Sequence, residues 1–335
     1  INPVNQENRR WKYDHPEVSQ HTGKVPGLNL FDAQFFKVHY RLSHNMEPMA
    51  RKLLEKAFEA IYDAGICPEE LSGKKVGVYI GNGNSETEKA IFDVNLSKSG
   101  VGLTGCCRAM YANRISYWLN AKGPSLTVDE LCCSSTKALE QGYLAIKRGE
   151  CEAAIVGGSS LCLHPQATLH YGRTTKISMD GKTKSFDSEA AGSAKSEAIN
   201  ILFLQKAENA LRIYADVVHV KSEFISVPQG KTGPMYGFYR DPENMANFIT
   251  KFYEEAGISP NVVEYVEAFG SAEPKADKAE LEAIDKVYCK NRSQPLLVGS
   301  VMSNIGYSEG ASGIAGITKV KQYAVNDSFC YTKLS

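Results

Sequence analysis

Residues 127–135 read T-V-D-E-L-C-C-S-S, and no other stretch constrains the fold as much. Gly123-Pro124 turns the chain just before it. Residues 125–129 are few and partly β-branched, which suits a strand. From Ser134 onward, Ala138, Leu139, Tyr143, Leu144 and Ile146 recur at helical spacing. Cys132 therefore falls at a strand-to-helix turn, where free backbone N–H groups and the helix dipole favour a thiolate. A nucleophile belongs in such a place. A buried structural cysteine fits it equally well, since free Cys is among the most buried residue types.

The rest of the pattern alternates strands with helices. Helices are expected over 46–64, 106–119, 207–213, 242–257, 273–288 and 310–320. Strands are expected over 75–80, 153–156, 198–204, 214–224, 265–268 and 295–301. Several Gly residues in the last helix imply close packing against other backbone. Two halves, near 75–205 and 214–320, each run strand, turn, helix, strand. This is an α/β chain with a layered sheet.

Composition excludes several classes. Lys plus Arg number 38 and Asp plus Glu number 38, so no net charge points to nucleic acid. The nine cysteines form no C-x-x-C pair, and neither they nor the seven histidines show metal spacing. An odd cysteine count and the vicinal pairs Cys106-Cys107 and Cys132-Cys133 suit reduced thiols and a cytoplasmic location. No apolar run approaches the ~18 residues of a membrane span. Gly81-Asn82-Gly83 lacks the third glycine of a dinucleotide fingerprint, because residue 86 is Glu. Gly306-Tyr307-Ser308-Glu309-Gly310 matches a hydrolase nucleophile elbow, but no histidine follows it; His219 is the last in the chain.

Many ordered motifs converge on one family. They include R-R-W at 9–11, F-D-A-Q-F-F at 31–36, M-E-P at 46–48 and L-L-E at 53–55. A-N-R-I-S at 112–116, G-P-S at 123–125 and V-D-E-L-C-C-S-S at 128–135 follow. Phe186-Asp187, Ser196-Glu197, Ser303-Asn304-Ile305-Gly306 and Glu309 complete the set. Over residues 8–320 the chain resembles the ketosynthase (beta-ketoacyl synthase) domain of animal-type fatty acid synthases and polyketide synthases. The resemblance implies a thiolase-like fold, layered α/β/α/β/α in two similar halves (residues 1–205 and 206–320). It also implies a homodimer. Residues 321–335 are expected to be an unrelated or irregular tail, and the family's first strand and last strands are expected to be missing. In the family, the cysteine at position 132 accepts an acyl thioester. It then condenses that group with malonyl carried on acyl carrier protein, releasing carbon dioxide. No bound cofactor is implied.

The resemblance fails where the chemistry sits. The family's two histidines correspond to Phe269 and Tyr307, and its lysine to Met302. Phe has no donor, and a Tyr hydroxyl is a poor base at neutral pH. Glu197, Asn304 and Glu309 keep supporting positions. Glu130, Lys137, Lys195 and Glu273 are further departures, and a carboxylate at Glu130 is expected to raise the Cys132 thiol pKa. The sequence therefore predicts a ketosynthase module with impaired condensation, a pseudoenzyme that keeps its acyl-accepting cysteine. The alternative is a non-catalytic partner used for dimerisation or for binding an apolar ligand. Self-association is expected through 153–158 and 106–119, whose apolar run would make a poor exposed edge.

Overall fold

The computed structural model describes residues 10, 15–88, 102–225, 229–230, 233–234, 240–290, 292–326 and 332–333. Arg9 and Trp11 of the expected opening motif lie outside them. After α1 (Tyr40–Asn45), Pro48 takes the first position of α2 (Pro48–Asp63), where its missing N–H costs nothing. Leu53, Leu54, Ala57 and Ile61 form the buried stripe of α2. β1 (Val76–Asn82) is buried along its whole length and runs two residues past the expected end, through Gly81-Asn82.

The single helix expected over 106–119 is two, α3 (Gly102–Cys106) and α4 (Met110–Leu119). The break lets Arg108 turn out to pair with Glu88 at 2.9 Å and with Asp129. β2 (Ser125–Val128) leads through a tight turn at Leu131–Cys133 into α5 (Ser134–Lys147). β3 (Ala153–Ser160), α6 (Pro165–Thr174) and β4 (Ala198–Gln205) follow. The strand order is β2-β1-β3-β4, parallel except for β4. β3 therefore lies inside the sheet, and the expected self-association through 153–158 does not fit, because both its edges are already paired. The edge strands among the described residues are β2, where Leu126 is exposed, and β4.

Two further expectations are corrected between the halves. Residues 207–213 form only one short turn, Ala207–Asn209, since so short a segment with Leu211 exposed has no face to bury. Residues 214–224 are not a strand. They have no neighbouring strand to supply a ladder. Instead the segment lies along α5: the Ser222 N–H donates to Glu140 at 3.0 Å, and the Tyr143 hydroxyl donates to the Val218 carbonyl at 3.0 Å.

A two-residue ribbon, β5 (Gln229–Gly230) with β6 (Gly233–Pro234), precedes α7 (Pro242–Ala256), which ends at the left-handed Gly257. Then come β7 (Tyr265–Glu267), α8 (Pro274–Tyr288), β8 (Leu297–Gly299), α9 (Met302–Ile305), α10 (Ser312–Asn326) and β9 (Thr332–Lys333). β7 and β8 are parallel, and β9 joins β8 antiparallel. Residues 321–335 are thus not wholly irregular. The run after Val320 contains no helix breaker, so α10 continues to Asn326. Ile249, Tyr253, Ile284 and Tyr288 of α7 and α8 pack on Val266 and Val298 of this second sheet. α2 and α4 cover one face of the first sheet, while α5 and α10 lie between the sheets. The layers run α/β/α/β/α. No helix among the described residues is long and apolar enough to cross a membrane.

Glycines set how closely α5 approaches the first sheet. A Cβ on Gly81 would stand 2.4 Å from the backbone of Ser134 and Ser135, and one on Gly158 would stand 2.6 Å from the Ser135 side chain. Both serines are fully buried at the first turn of α5. Gly81→Ala should therefore cost at least the ~1–3 kcal/mol of an overpacked core. It should lower the melting temperature and slow alkylation of Cys132 together, whereas Gly73→Ala, which meets no atom within 4 Å, should leave Cys132 labelling unchanged.

Candidate active site

Cys132 sits in the tight turn directly before α5, as the strand-to-helix reading required. Leu131, just before it, has φ +50°, an unfavourable angle for a branched-chain residue and one that turns the cysteine away from the strand line. The turn is held from behind. The Ser134 hydroxyl donates to the Leu131 carbonyl at 2.7 Å and accepts from the Glu130 N–H at 2.8 Å.

The Cys132 side chain lines a cavity of about 40 Å³ together with Tyr171, Arg240, Phe269, Met302 and Tyr307. Phe269, Met302 and Tyr307, 137–175 positions from Cys132 in the chain, are thus brought beside it, as their registers in separate motifs implied. Phe269 follows β7. Its N–H and that of Gly270 donate to the Glu280 carboxylate of α8 at 2.7 and 2.9 Å, and the Ser300 hydroxyl donates to its carbonyl at 2.7 Å. Tyr307 follows α9 and is tied to the other half. Its N–H donates to the Ala194 carbonyl at 2.7 Å, and its carbonyl accepts from the Ser196 N–H at 2.9 Å. The Phe269 and Tyr307 rings meet edge to face, with centroids 5.7 Å apart. Met302 is buried and contributes neither donor nor charge.

The supporting residues divide. Glu309 pairs with Lys195, which is 2 % exposed and whose ammonium lies 3.9 Å from the Tyr171 ring centroid and 5.1 Å from that of Tyr307. Burial lowers the Lys195 pKa to about 8. Glu197 lies away from the cavity. It is buried, pairs with Arg10 at 2.7 Å and accepts from the Val25 N–H at 2.8 Å, so it anchors the N-terminal segment to β4. Asn304 is exposed on α9 and does not line the cavity. Lys137 also faces outward, pairing with Glu140 at 2.5 Å. Sequence reasoning missed Tyr171 and Arg240. Neither lies in a motif; α6 and the start of α7 carry them in through tertiary packing.

The expected effect of Glu130 is corrected. The Cys132 pKa is lowered to about 6, because the Cys133 thiol, 4.0 Å away, donates to it, and the Tyr307 hydroxyl and the Arg240 guanidinium add to that against desolvation. Glu130 acts instead on Cys133, whose thiol is pushed up mainly by its partnership with Cys132. Desolvation pushes the Tyr307 hydroxyl far above its ordinary range, which makes it a donor and not a base.

Family comparison agrees with this geometry. The N-terminal domain model of beta-ketoacyl synthases matches residues 1–210, and the C-terminal domain model matches residues 228–329. The chain belongs to the beta-ketoacyl synthase family. It is 39 % identical over 321 residues to a fatty acid synthase of the goose Anser anser anser, covering 96 % of this chain and 90 % of that one. It is 34 % identical over 302 residues to the polyketide synthase ThaG of Burkholderia thailandensis, covering 89 % of this chain and 5 % of that one. The ketosynthase from module 6 of the bacillaene synthase of Bacillus subtilis superposes with a TM-score of 0.81 at 28 % identity. That match covers 96 % of this chain and 55 % of the solved one, so the chain spans about half of that ketosynthase. The layered architecture is the thiolase-like ketosynthase fold.

A lowered thiol makes a definite pH prediction. Thiolate forms as pH rises through the folded pKa, so iodoacetamide labelling of Cys132 should fall off below about pH 6. An unperturbed cysteine would fall off near ~8.5. Tyr307→Phe removes one donor to the thiolate and should move the midpoint upward by about one unit. Peptide mass spectrometry across pH 4.5–9 (about the range that brackets both values) reads both midpoints.

Proposed function

We propose that this ketosynthase domain accepts acyl groups on Cys132 but condenses them poorly or not at all. The observation that carries this reading is the single cavity joining Cys132 to Phe269, Tyr307 and Met302. Acylation needs a thiolate and a donor thioester, with acyl carrier protein or a free acyl thioester as the partner. The lowered Cys132 pKa supplies the thiolate near neutral pH. Condensation needs more: carbon dioxide must leave a malonyl group while negative charge develops on the thioester oxygen. Preorganised donors supply the largest part of such catalysis, and removal of one costs about 2.7–4 kcal/mol. Phe269 donates nothing. Tyr307 keeps a hydroxyl, but that hydroxyl is shared between Tyr171 and Cys132. Met302 brings no charge. The chain acts on this reading as a pseudoenzyme of fatty acid or polyketide synthesis. The free thiols of the eight described cysteines support a reducing compartment, the cytoplasm.

Storage of an apolar chain is disfavoured, because about 40 Å³ holds only a few water molecules at roughly 10–15 Å³ each. Self-association is supported from a different place than the apolar β3. β2 leaves an unpaired row of N–H and C=O groups, with Leu126 48 % exposed beside it. A second copy pairing there would close both edges symmetrically. Sedimentation should show a dimer at micromolar concentration. Leu126→Lys on this edge should give the monomer, and a monomeric unsubstituted chain would exclude the interface.

The catalytic proposal is tested on purified protein supplied with acyl and malonyl carrier proteins. Intact-mass analysis should find an acyl adduct that Cys132→Ala abolishes, and radiolabelled malonyl groups should yield no ketoacyl product. Product formation within about tenfold of a ketosynthase holding both histidines, a barrier difference of only ~1.4 kcal/mol, would refute the loss of condensation.

A further inference from the structure

Both positions that hold imidazoles in the family hold uncharged rings here, and each ring carries a cation on its face. Lys195 covers Tyr307, as described above, but it is buried and paired with Glu309. Arg240 covers Phe269 with its guanidinium carbon 4.7 Å from the ring centroid, and it is placed differently. It lines the cavity that holds the Cys132 side chain. Its nearest carboxylate, on Glu280, is 3.8 Å away, beyond hydrogen-bond reach. That carboxylate is already engaged by the N–H groups of Phe269 and Gly270. Among the other charged residues lining the cavity, Lys176 and Glu273 cancel, so Arg240 is the cation left facing the Cys132 side chain, with Glu280 beside it on the other side. A guanidinium stacked on a ring keeps its in-plane N–H fork, which matches the two oxygens of a carboxylate. The cavity is also small, which fits a short acyl group.

We infer that Arg240 makes this cavity a recognition site for short acyl thioesters bearing a free carboxylate, of the succinyl type, which it holds while Cys132 is acylated. The inference rests on the acyl-accepting reading of Cys132. In the step itself, the Cys132 thiolate attacks the thioester carbonyl carbon and forms a new C–S bond. The bond from that carbon to the donor sulfur breaks, and the departing thiolate takes a proton from solvent. The distal carboxylate stays intact on Arg240, since the cavity has no pair of imidazoles to promote its loss from a malonyl homologue.

The test compares succinyl and butyryl thioesters of N-acetylcysteamine, which match in length and differ in one charge, with adducts on Cys132 quantified by peptide mass spectrometry. The unsubstituted chain should acylate faster with succinyl than with butyryl. Arg240→Gln should lower that ratio by about tenfold, the low end of a charge-assisted hydrogen bond. Arg240→Lys, which keeps the charge and guards against misfolding of the Gln variant, should keep most of the preference. The ratio of iodoacetate to iodoacetamide labelling should fall in parallel. Equal ratios in the unsubstituted and Gln chains, or a butyryl preference in the unsubstituted one, would overturn the role of Arg240 while leaving Cys132 acylation standing. No adduct on Cys132 from either thioester would instead overturn the acyl-accepting reading, and this inference with it.

Discussion

The first turn of α5 is pressed against bare backbone, and the site depends on that contact. Ser134 and Ser135 are fully buried where Gly81 of β1 and Gly158 of β3 leave no side chain in the way. Gly313 of α10 closes the same helix end from the other side: a Cβ there would stand 2.4 Å from Thr136. Interiors packed this closely transmit displacement directly, because no void absorbs it. The turn at Leu131–Cys133 is itself exposed, and its backbone is held by Ser134, whose hydroxyl bonds the Leu131 carbonyl and the Glu130 N–H. Cys132 is thus aimed by the sheet, not by its own loop.

What faces Cys132 comes from the second half of the chain and is electrostatically unusual. An imidazole changes charge near neutral pH, whereas a phenyl ring or a strongly shifted phenol does not. Here the Phe269 ring is covered by Arg240, which keeps its charge, and the Tyr307 ring by Lys195, whose charge is matched by Glu309. Such an arrangement stabilises a thiolate and a bound anion. On the proposed function, it lacks the imidazole pair that assists decarboxylation in the family. On that same proposal, three side chains, Phe269, Met302 and Tyr307, separate binding and loading from condensation.

Much of this was legible in the sequence, for identifiable reasons. β1, α2, α7 and the start of α5 follow from unbroken periodicity ending at Gly65, Gly257 or the Gly123-Pro124 turn. Phe269, Met302 and Tyr307 could be placed beside Cys132 only because each lies inside a family motif whose register is fixed. Sequence pattern failed where tertiary context decides. Residues 214–224 have strand-like composition but no strand to pair with, so they lie along α5 instead. An apolar run at 153–158 cannot say whether it is an edge or an interior strand, and β4 supplies the missing answer. The thiol of Cys132 was expected to rise because Glu130 is adjacent in sequence. The groups that decide its charge, Cys133, Tyr307 and Arg240, include two that are adjacent only in space. Arg240 carried no signal of its own.

The central claim is that three side chains separate this domain from a condensing enzyme. The most direct measurement restores them together, as Phe269→His, Met302→Lys and Tyr307→His in one protein, and follows carbon dioxide release from malonyl carrier protein. The account predicts that the unsubstituted chain releases carbon dioxide at background and that the triple variant exceeds it by at least about 100-fold, the effect of regaining even one preorganised donor. Equal release from the two proteins, at any rate above background, would contradict it.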